Sequence, residues 1–308
     1  MTAAGLPLPP PAHELPLPAP HPGDGGVRLL LGVPYAAIRG IRPLELDLYL
    51  PAADGPSPVV VFLHGGGWQV GSRHSAGPGY RGTPSPFERI AQAGIAVASV
   101  DYRLSGEAVW PAQLHDAKAA VRWLRARATE IGIDGARIAA WGESAGGHLA
   151  ELLGLVTDSA LEGDVGIAGP SSAVAAVAAW YAPSDVAAVA TDTGLDPADP
   201  TTRENRLLGA PAQEVPDRAA EASPISHVRA GAPPFLLLHG AADRFIPPVQ
   251  SERLHATLVR AGIEADLELY DGADHMWIGS PEAPQRALDR TIDFLRRQLA
   301  ARPTKDDR

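Results

Sequence analysis

Short apolar runs that alternate with segments of helical period predict an α/β fold, a mostly parallel central sheet with helices on both faces. Two runs carry most of this expectation. Residues 59–63 and 95–100 are continuous and apolar, as expected of strands covered on both sides. The segments around them have helical period instead. Residues 86–93 read as one helix. Pro111 opens a second, which sets Leu114, Ala117, Val121 and Leu124 on one face at steps of three and four.

The remaining elements follow in order. Leu44, Leu46, Leu48 and Leu50 alternate with Glu45, Asp47 and Tyr49, the period of a strand with one face in solvent. Residues 138–141 read as a strand and 145–156 as a helix. Strands at 174–181 and 235–239, a helix near 248–261 and a strand at 265–270 come next. A last helix aligns Leu288, Ile292, Leu295 and Leu299. The domain is expected over 27–300, with a short tail at 301–308. Residues 1–26 hold eight prolines between Pro7 and Pro22 and read as an extended, largely free arm. Such an arm could instead pack on the domain or reach a second copy, giving a homo-oligomer. Residues 184–230 break the alternation and are rich in Pro, Asp and Ala, so they are expected to form a small cap or lid. The loop 71–86 is long as well.

Composition narrows the function. The formal charge is −10 without a long run of one sign, which argues against nucleic acid and against an anionic membrane surface. No run of about 18 apolar residues is present to cross a bilayer. The chain has no cysteine, so disulfides, thiolate metal sites and a thiol nucleophile are excluded. With no basic start or apolar run at the N-terminus, a cytoplasmic location is expected. No metal is expected either, because H-E-x-x-H and other ligand spacings are absent.

Chemistry concentrates in three places. Gly142-Glu143-Ser144-Ala145-Gly146 matches G-x-S-x-G between a strand and a helix of small residues. Ser144 then sits on a sharp turn with its oxygen projecting, and the two glycines remove Cβ atoms that would collide. His64-Gly65-Gly66-Gly67-Trp68 follows a buried strand, and its glycines allow backbone N–H groups to face a carbonyl oxygen. The expected oxyanion donors are Gly66, Gly67 and Ala145. Neither G-x-x-x-x-G-K-[ST] nor G-x-G-x-x-G fits this loop. A serine nucleophile needs a histidine base and an orienting carboxylate. Asp243 and His275 each follow a strand and complete the order Ser, acid, His. Asp271 and Asp274 are rival acids, disfavoured because they share the loop of His275. His64, His148, His13, His21, His115, His227 and His255 are expected to be packing or surface residues. Trp68, Trp110, Tyr181, Phe245 and Trp277 fall near strand ends and are candidates for an apolar pocket.

These motifs resemble the α/β-hydrolase esterases of the hormone-sensitive-lipase and feruloyl-esterase-like (BD-FAE-type) groups. The resemblance continues through Asp101-Tyr102-Arg103-Leu104, Gly147-His148-Leu149-Ala150 and Ala222-Ser223-Pro224-Ile225, over roughly 27–300. It implies a cofactor-free carboxylic ester hydrolase acting through an acyl-enzyme on small to medium, short-chain or aromatic esters. Gly147-His148-Leu149 looks more like the feruloyl-esterase and kynurenine-formamidase-like branch, and Glu143 more like general carboxylesterases. Arylformamidase and feruloyl or acetyl-xylan esterase activities therefore stand as alternatives. A catalytically silent ligand receptor on the same fold would be expected to lack a triad member, and none is missing.

Overall fold

The computed structural model describes residues 11–53 and 55–300. Its strands are β1 (His21–Pro22), β2 (Arg28–Ala36), β3 (Leu44–Leu50), β4 (Ser57–Leu63), β5 (Ala96–Val100), β6 (Ile133–Glu143), β7 (Val177–Trp180), β8 (Phe235–Gly240) and β9 (Ala265–Tyr270). They form one sheet in the order β1-β2-β3-β5-β4-β6-β7-β8-β9. From β5 to β9 neighbouring strands run parallel, whereas β1, β2 and β3 pair antiparallel at one edge and β3 meets β5 antiparallel.

The helices are α1 (Pro86–Gln92), α2 (Ala112–Ala126), α3 (Ala128–Ile131), α4 (Ala145–Leu155), α5 (Val189–Asp192), α6 (Arg203–Leu208), α7 (Pro216–Glu221), α8 (Val249–Arg260) and α9 (Ala283–Gln298). The run in β4 shows why both faces of the sheet are covered. Val59, Val61 and Leu63 join Leu114, Leu149 and Leu254 from α2, α4 and α8 in one apolar layer. Val60 and Phe62 join Phe87 of α1 and Leu288 and Leu295 of α9 in the other. All five strand residues are fully buried, each side chain contributing about 1.5–3 kcal/mol relative to exposure. Helix α1 starts on a capping box: Glu88 N–H donates to Ser85 Oγ (3.2 Å) and Ser85 N–H to Glu88 Oε2 (2.9 Å).

Three expectations change, and one strand lies outside them. Strand β2 has no clean sequence signal, because Gly32 (φ +65°) and Pro34 interrupt its alternation and its register slips twice against β3. Asp47, expected on a solvent face of β3, is buried, because loop 71–86 folds over it. It accepts from Gly32 N–H (2.7 Å) and from Arg73 Nε (2.9 Å). The seventh strand is four residues, not the eight of 174–181. The arm was expected to be largely free. Residues 1–10 lie outside the described residues, but 11–26 are docked: Arg127 Nη1 donates to Leu15 O (2.8 Å), and β1 pairs with β2. The tail 301–308 also lies outside the described residues.

Segment 184–230 carries the short helices α5, α6 and α7. It is pinned to α8, where Arg253 pairs with Asp192 and Gln250 accepts the N–H groups of Ser184 and Asp185. Among the described residues no helix is long and apolar enough to cross a membrane, and no cluster of three metal-ligating side chains occurs.

Candidate active site

Strand β6 runs straight into α4, and Ser144 is the residue between them, held at φ +52° and ψ −120°. Such a backbone is strained for a residue with a side chain and persists only when its surroundings enforce it. Ser144 N–H donates to Trp180 O on β7 (2.8 Å), and His148 N–H donates to Ser144 O (3.0 Å). The flanking glycines make the turn sterically feasible. A Cβ on Gly146 would lie 2.0 Å from Leu63 O, and one on Gly142 would lie 2.2 Å from Gly146 O.

His275 and Asp243 arrive at this serine from the loops after β9 and β8. Ser144 Oγ lies 3.0 Å from His275 Nε2, and His275 Nδ1 lies 2.7 Å from Asp243 Oδ2. All three side chains are buried. Asp243 Oδ1 accepts the N–H groups of Phe245 and Ile246, both at 2.8 Å. Burial by itself would raise the Asp243 pKa. The contacts with His239 and His275 outweigh it and hold the carboxyl well below the usual range. An ionised Asp243 can only accept, so Nδ1 of His275 carries the proton and Nε2 faces Ser144 with its lone pair.

The rival acids serve other purposes. Asp274 accepts the N–H of His275 (2.8 Å) and pairs with Arg244, and Asp271 is exposed. His64 is buried, stacks on Tyr102 and holds Gly65 O through Nδ1 (2.7 Å). His148 Nε2 donates to Ala222 O (2.7 Å), and burial, only partly opposed by that bond, pushes its pKa down to about 4. The ring thereby fastens segment 184–230 to α4.

In the glycine loop, Gly66 has φ +116°, and a Cβ there would lie 2.1 Å from Val70 O. Among the described residues none accepts a hydrogen bond from the N–H of Gly66, Gly67 or Ala145. The five aromatic candidates divide. Phe245 is half exposed, with its ring centroid 4.9 Å from that of His275. Tyr181 packs 4.8 Å from His275 but is buried, and Trp277 is buried behind it. Trp68 and Trp110 do not line an open pocket. Both are buried and pack T-shaped against the His148 ring, with centroids 5.0 and 6.2 Å away, and Trp110 Nε1 donates to Glu221 (2.7 Å).

Sequence reasoning gave Glu143 no role. Its carboxyl is buried beside Ser144, accepts from Tyr181 Oη (2.7 Å) and faces Gly65 N–H at 3.4 Å. Burial pushes its pKa up to about 7, against the pull of those two bonds. A lone acid at the end of an apolar strand was the available signal.

The chain is similar to known esterases. The chain is 34% identical over 229 residues to esterase LipC of Mycobacterium tuberculosis, covering 71% of this chain and 55% of LipC. It is 32% identical over 235 residues to LipQ of the same organism, covering 75% and 52%. The chain thus spans about half the length of these curated relatives. A truncated carbohydrate esterase from gut microbiota superposes with a TM-score of 0.79 at 29% identity, covering 91% of this chain and 99% of that one. Esterase 2 of Thermogutta terrifontis, solved with propionate bound, gives 0.71 at 28% identity, covering 88% and 95%. The same esterase has been solved phosphorylated by paraoxon, with a TM-score of 0.68 at 28% identity and coverage of 90% and 97%. The BD-FAE family model matches residues 46–258, most of the chain, which therefore belongs to the BD-FAE family and has the α/β-hydrolase fold.

Proposed function

We propose that this protein is a serine carboxylesterase that hydrolyses small to medium carboxylic esters through an acyl-enzyme on Ser144. The observation that carries the reading is the continuous contact from Ser144 Oγ through His275 to Asp243, at 3.0 and 2.7 Å. Ser144 Oγ attacks the ester carbonyl while its proton passes to His275 Nε2. The carbonyl oxygen becomes an oxyanion between the N–H groups of Gly66, Gly67 and Ala145, which are free of protein acceptors among the described residues. His275 Nε2–H then protonates the departing alcohol. Water, deprotonated by the same nitrogen, attacks the acyl-enzyme and releases the acid. Asp243 holds the ring in this tautomer and offsets the charge it gains. No cofactor enters this scheme.

A carbohydrate ester is the second reading, favoured by the likeness to the gut carbohydrate esterase over 99% of that chain. Formamides such as N-formylkynurenine suit the same machinery. With the activity we propose a cytoplasmic location, compatible with a cysteine-free chain.

The test is turnover of 4-nitrophenyl esters from acetate to laurate, methyl ferulate, acetylated xylan and N-formylkynurenine by wild type and Ser144→Ala. Wild type should cleave short esters, and the variant should be slower by about 10⁴–10⁶. Near-normal turnover by Ser144→Ala would exclude the mechanism. If neither protein cleaves any substrate, the silent-receptor alternative replaces it.

A further inference from the structure

In a chain of net charge −10, one guanidinium stands beside the reaction centre with no acceptor. Arg203 begins α6 in segment 184–230. Its stem leans on the glycine loop, since a Cβ on Gly67 would lie 2.7 Å from Arg203 Cδ. Its Cζ lies 3.5 Å from the centroid of Phe245, whose ring centroid is 4.9 Å from that of His275. Guanidinium, phenyl and imidazole therefore follow one another from the rim inward. About a fifth of the Arg203 side chain, 21%, is open to solvent.

Other part-buried arginines of this protein have acceptors: Arg73 pairs with Glu45, Asp47 and Asp101, Arg103 with Asp116 and Arg122 with Glu162, whereas Arg125 and Arg229 donate to backbone carbonyls. Among the described residues none accepts a hydrogen bond from Arg203, and Glu204 comes no closer than 4.0 Å. Two carboxylates, Glu204 and Asp243, lie near it, and neither accepts a hydrogen bond from it. Burial raises the Glu204 pKa, and the nearby Arg203 opposes that only in part. The oxygens of Asp243 are taken by His275 and by two backbone N–H groups. One turn along α6, Arg206 Nη1 donates to Gln69 Oε1 (3.3 Å) and adds a second cation at the rim of the glycine loop.

A partly desolvated cation without an acceptor is a standing cost. A planar fork of five N–H donors matches a carboxylate, and stacking on Phe245 leaves the edge of that fork unobstructed. We infer that Arg203 selects esters that bear a carboxylate a few bonds from the scissile carbonyl, held by the guanidinium while the carbonyl lies against Gly66 and Gly67. The inference rests on the esterase reading above and adds a substrate class to it.

The test compares matched pairs in which a free carboxylate is set against its methyl ester, with wild type and variant compared on the same pair so that intrinsic reactivity cancels. 4-Acetoxybenzoate against its methyl ester places the carboxylate on the leaving group; 4-nitrophenyl hydrogen adipate against 4-nitrophenyl methyl adipate places it on the acyl chain. For wild type, kcat/KM should favour the charged member of at least one pair by about tenfold or more, less at raised salt. In Arg203→Met that ratio should fall to about one, whatever happens to the absolute rates, and Arg203→Lys should retain part of the preference. Wild type favouring the neutral member of both pairs, or an unchanged ratio in Arg203→Met, overturns the inference while leaving the esterase standing. No hydrolysis of any member, with 4-nitrophenyl acetate also untouched, overturns the esterase reading and this inference with it.

Discussion

The floor of the site and its rim are built on different principles. On the floor, Ser144, His275 and Asp243 are buried, and their positions follow from paired strands: Ser144 N–H is bonded to Trp180 O, and Asp243 is clamped by two N–H groups of its own loop. At the rim, Phe245 is half exposed, and Arg203 rests on its ring from a segment that contributes no strand to the sheet. The floor is specified by backbone and tolerates little; the rim is specified by side-chain contact and can change without disturbing the sheet. On the proposed reading, chemistry belongs to the first and selectivity to the second.

The contrast breaks most sharply at the floor. Removing the base in His275→Ala, or replacing the acid in Asp243→Asn, should lower kcat by about 10⁴ or more with the fold intact by circular dichroism. Turnover within tenfold of wild type in either variant would remove that residue from the mechanism.

Next is the steric requirement at the turn. Gly146→Ala puts a methyl group 2.0 Å from Leu63 O, so the turn must open or the chain must shift. We expect a loss of at least about 3 kcal/mol in urea unfolding, with activity falling in parallel. An unchanged unfolding midpoint would show that the strand and helix can separate at little cost.

Glu143 sharpens the comparison, because it is a floor residue whose burial costs stability. Its pKa is raised from 4.5 to about 7, so the folded protein holds a proton that the unfolded chain releases. The contribution of this group should therefore be fully present below about pH 4.5 and be lost as pH rises through 7, a decline of up to about 3 kcal/mol. Glu143→Gln should flatten that decline in urea unfolding between pH 5 and 8, since the amide keeps an acceptor for Tyr181 Oη and cannot ionise. An identical pH dependence in the variant would assign the decline to other groups.

The smallest effect belongs to the rim. Phe245→Ala should change kcat/KM for neutral esters only about two- to fivefold and stability by less than about 1 kcal/mol, because the ring is half exposed. A loss as large as that of His275→Ala would mean that Phe245 positions the base and belongs to the floor.

The division between floor and rim also describes what could be read from the sequence. G-x-S-x-G lies between a strand and a helix because its glycines answer a local steric demand, and local demands leave local marks. The order of Ser144, Asp243 and His275 was legible because each follows a strand of a parallel sheet, which brings their loops to one edge. Buried layers were legible where one pattern served one environment, as in β4. Asp47 was misplaced because alternation shows which face of a strand is apolar, not what a distant loop lays over the other. Trp68 and Trp110 were assigned to a pocket from their position near strand ends. Whether an indole opens to solvent or closes on His148 depends on the path of 184–230 across α4. Arg203 left no sequence mark, since its partners Gly67 and Phe245 lie far from it along the chain.

The central claim, that Ser144 is the nucleophile, is tested most directly by reaction with paraoxon followed by mass spectrometry of the peptide containing residue 144. A relative of the same fold, Thermogutta terrifontis esterase 2, has been solved phosphorylated by this reagent. We predict one diethylphosphoryl group per chain, on Ser144, formed in step with the loss of esterase activity and absent in Ser144→Ala. Loss of activity with Ser144 unmodified, or an adduct that persists in Ser144→Ala, would contradict it.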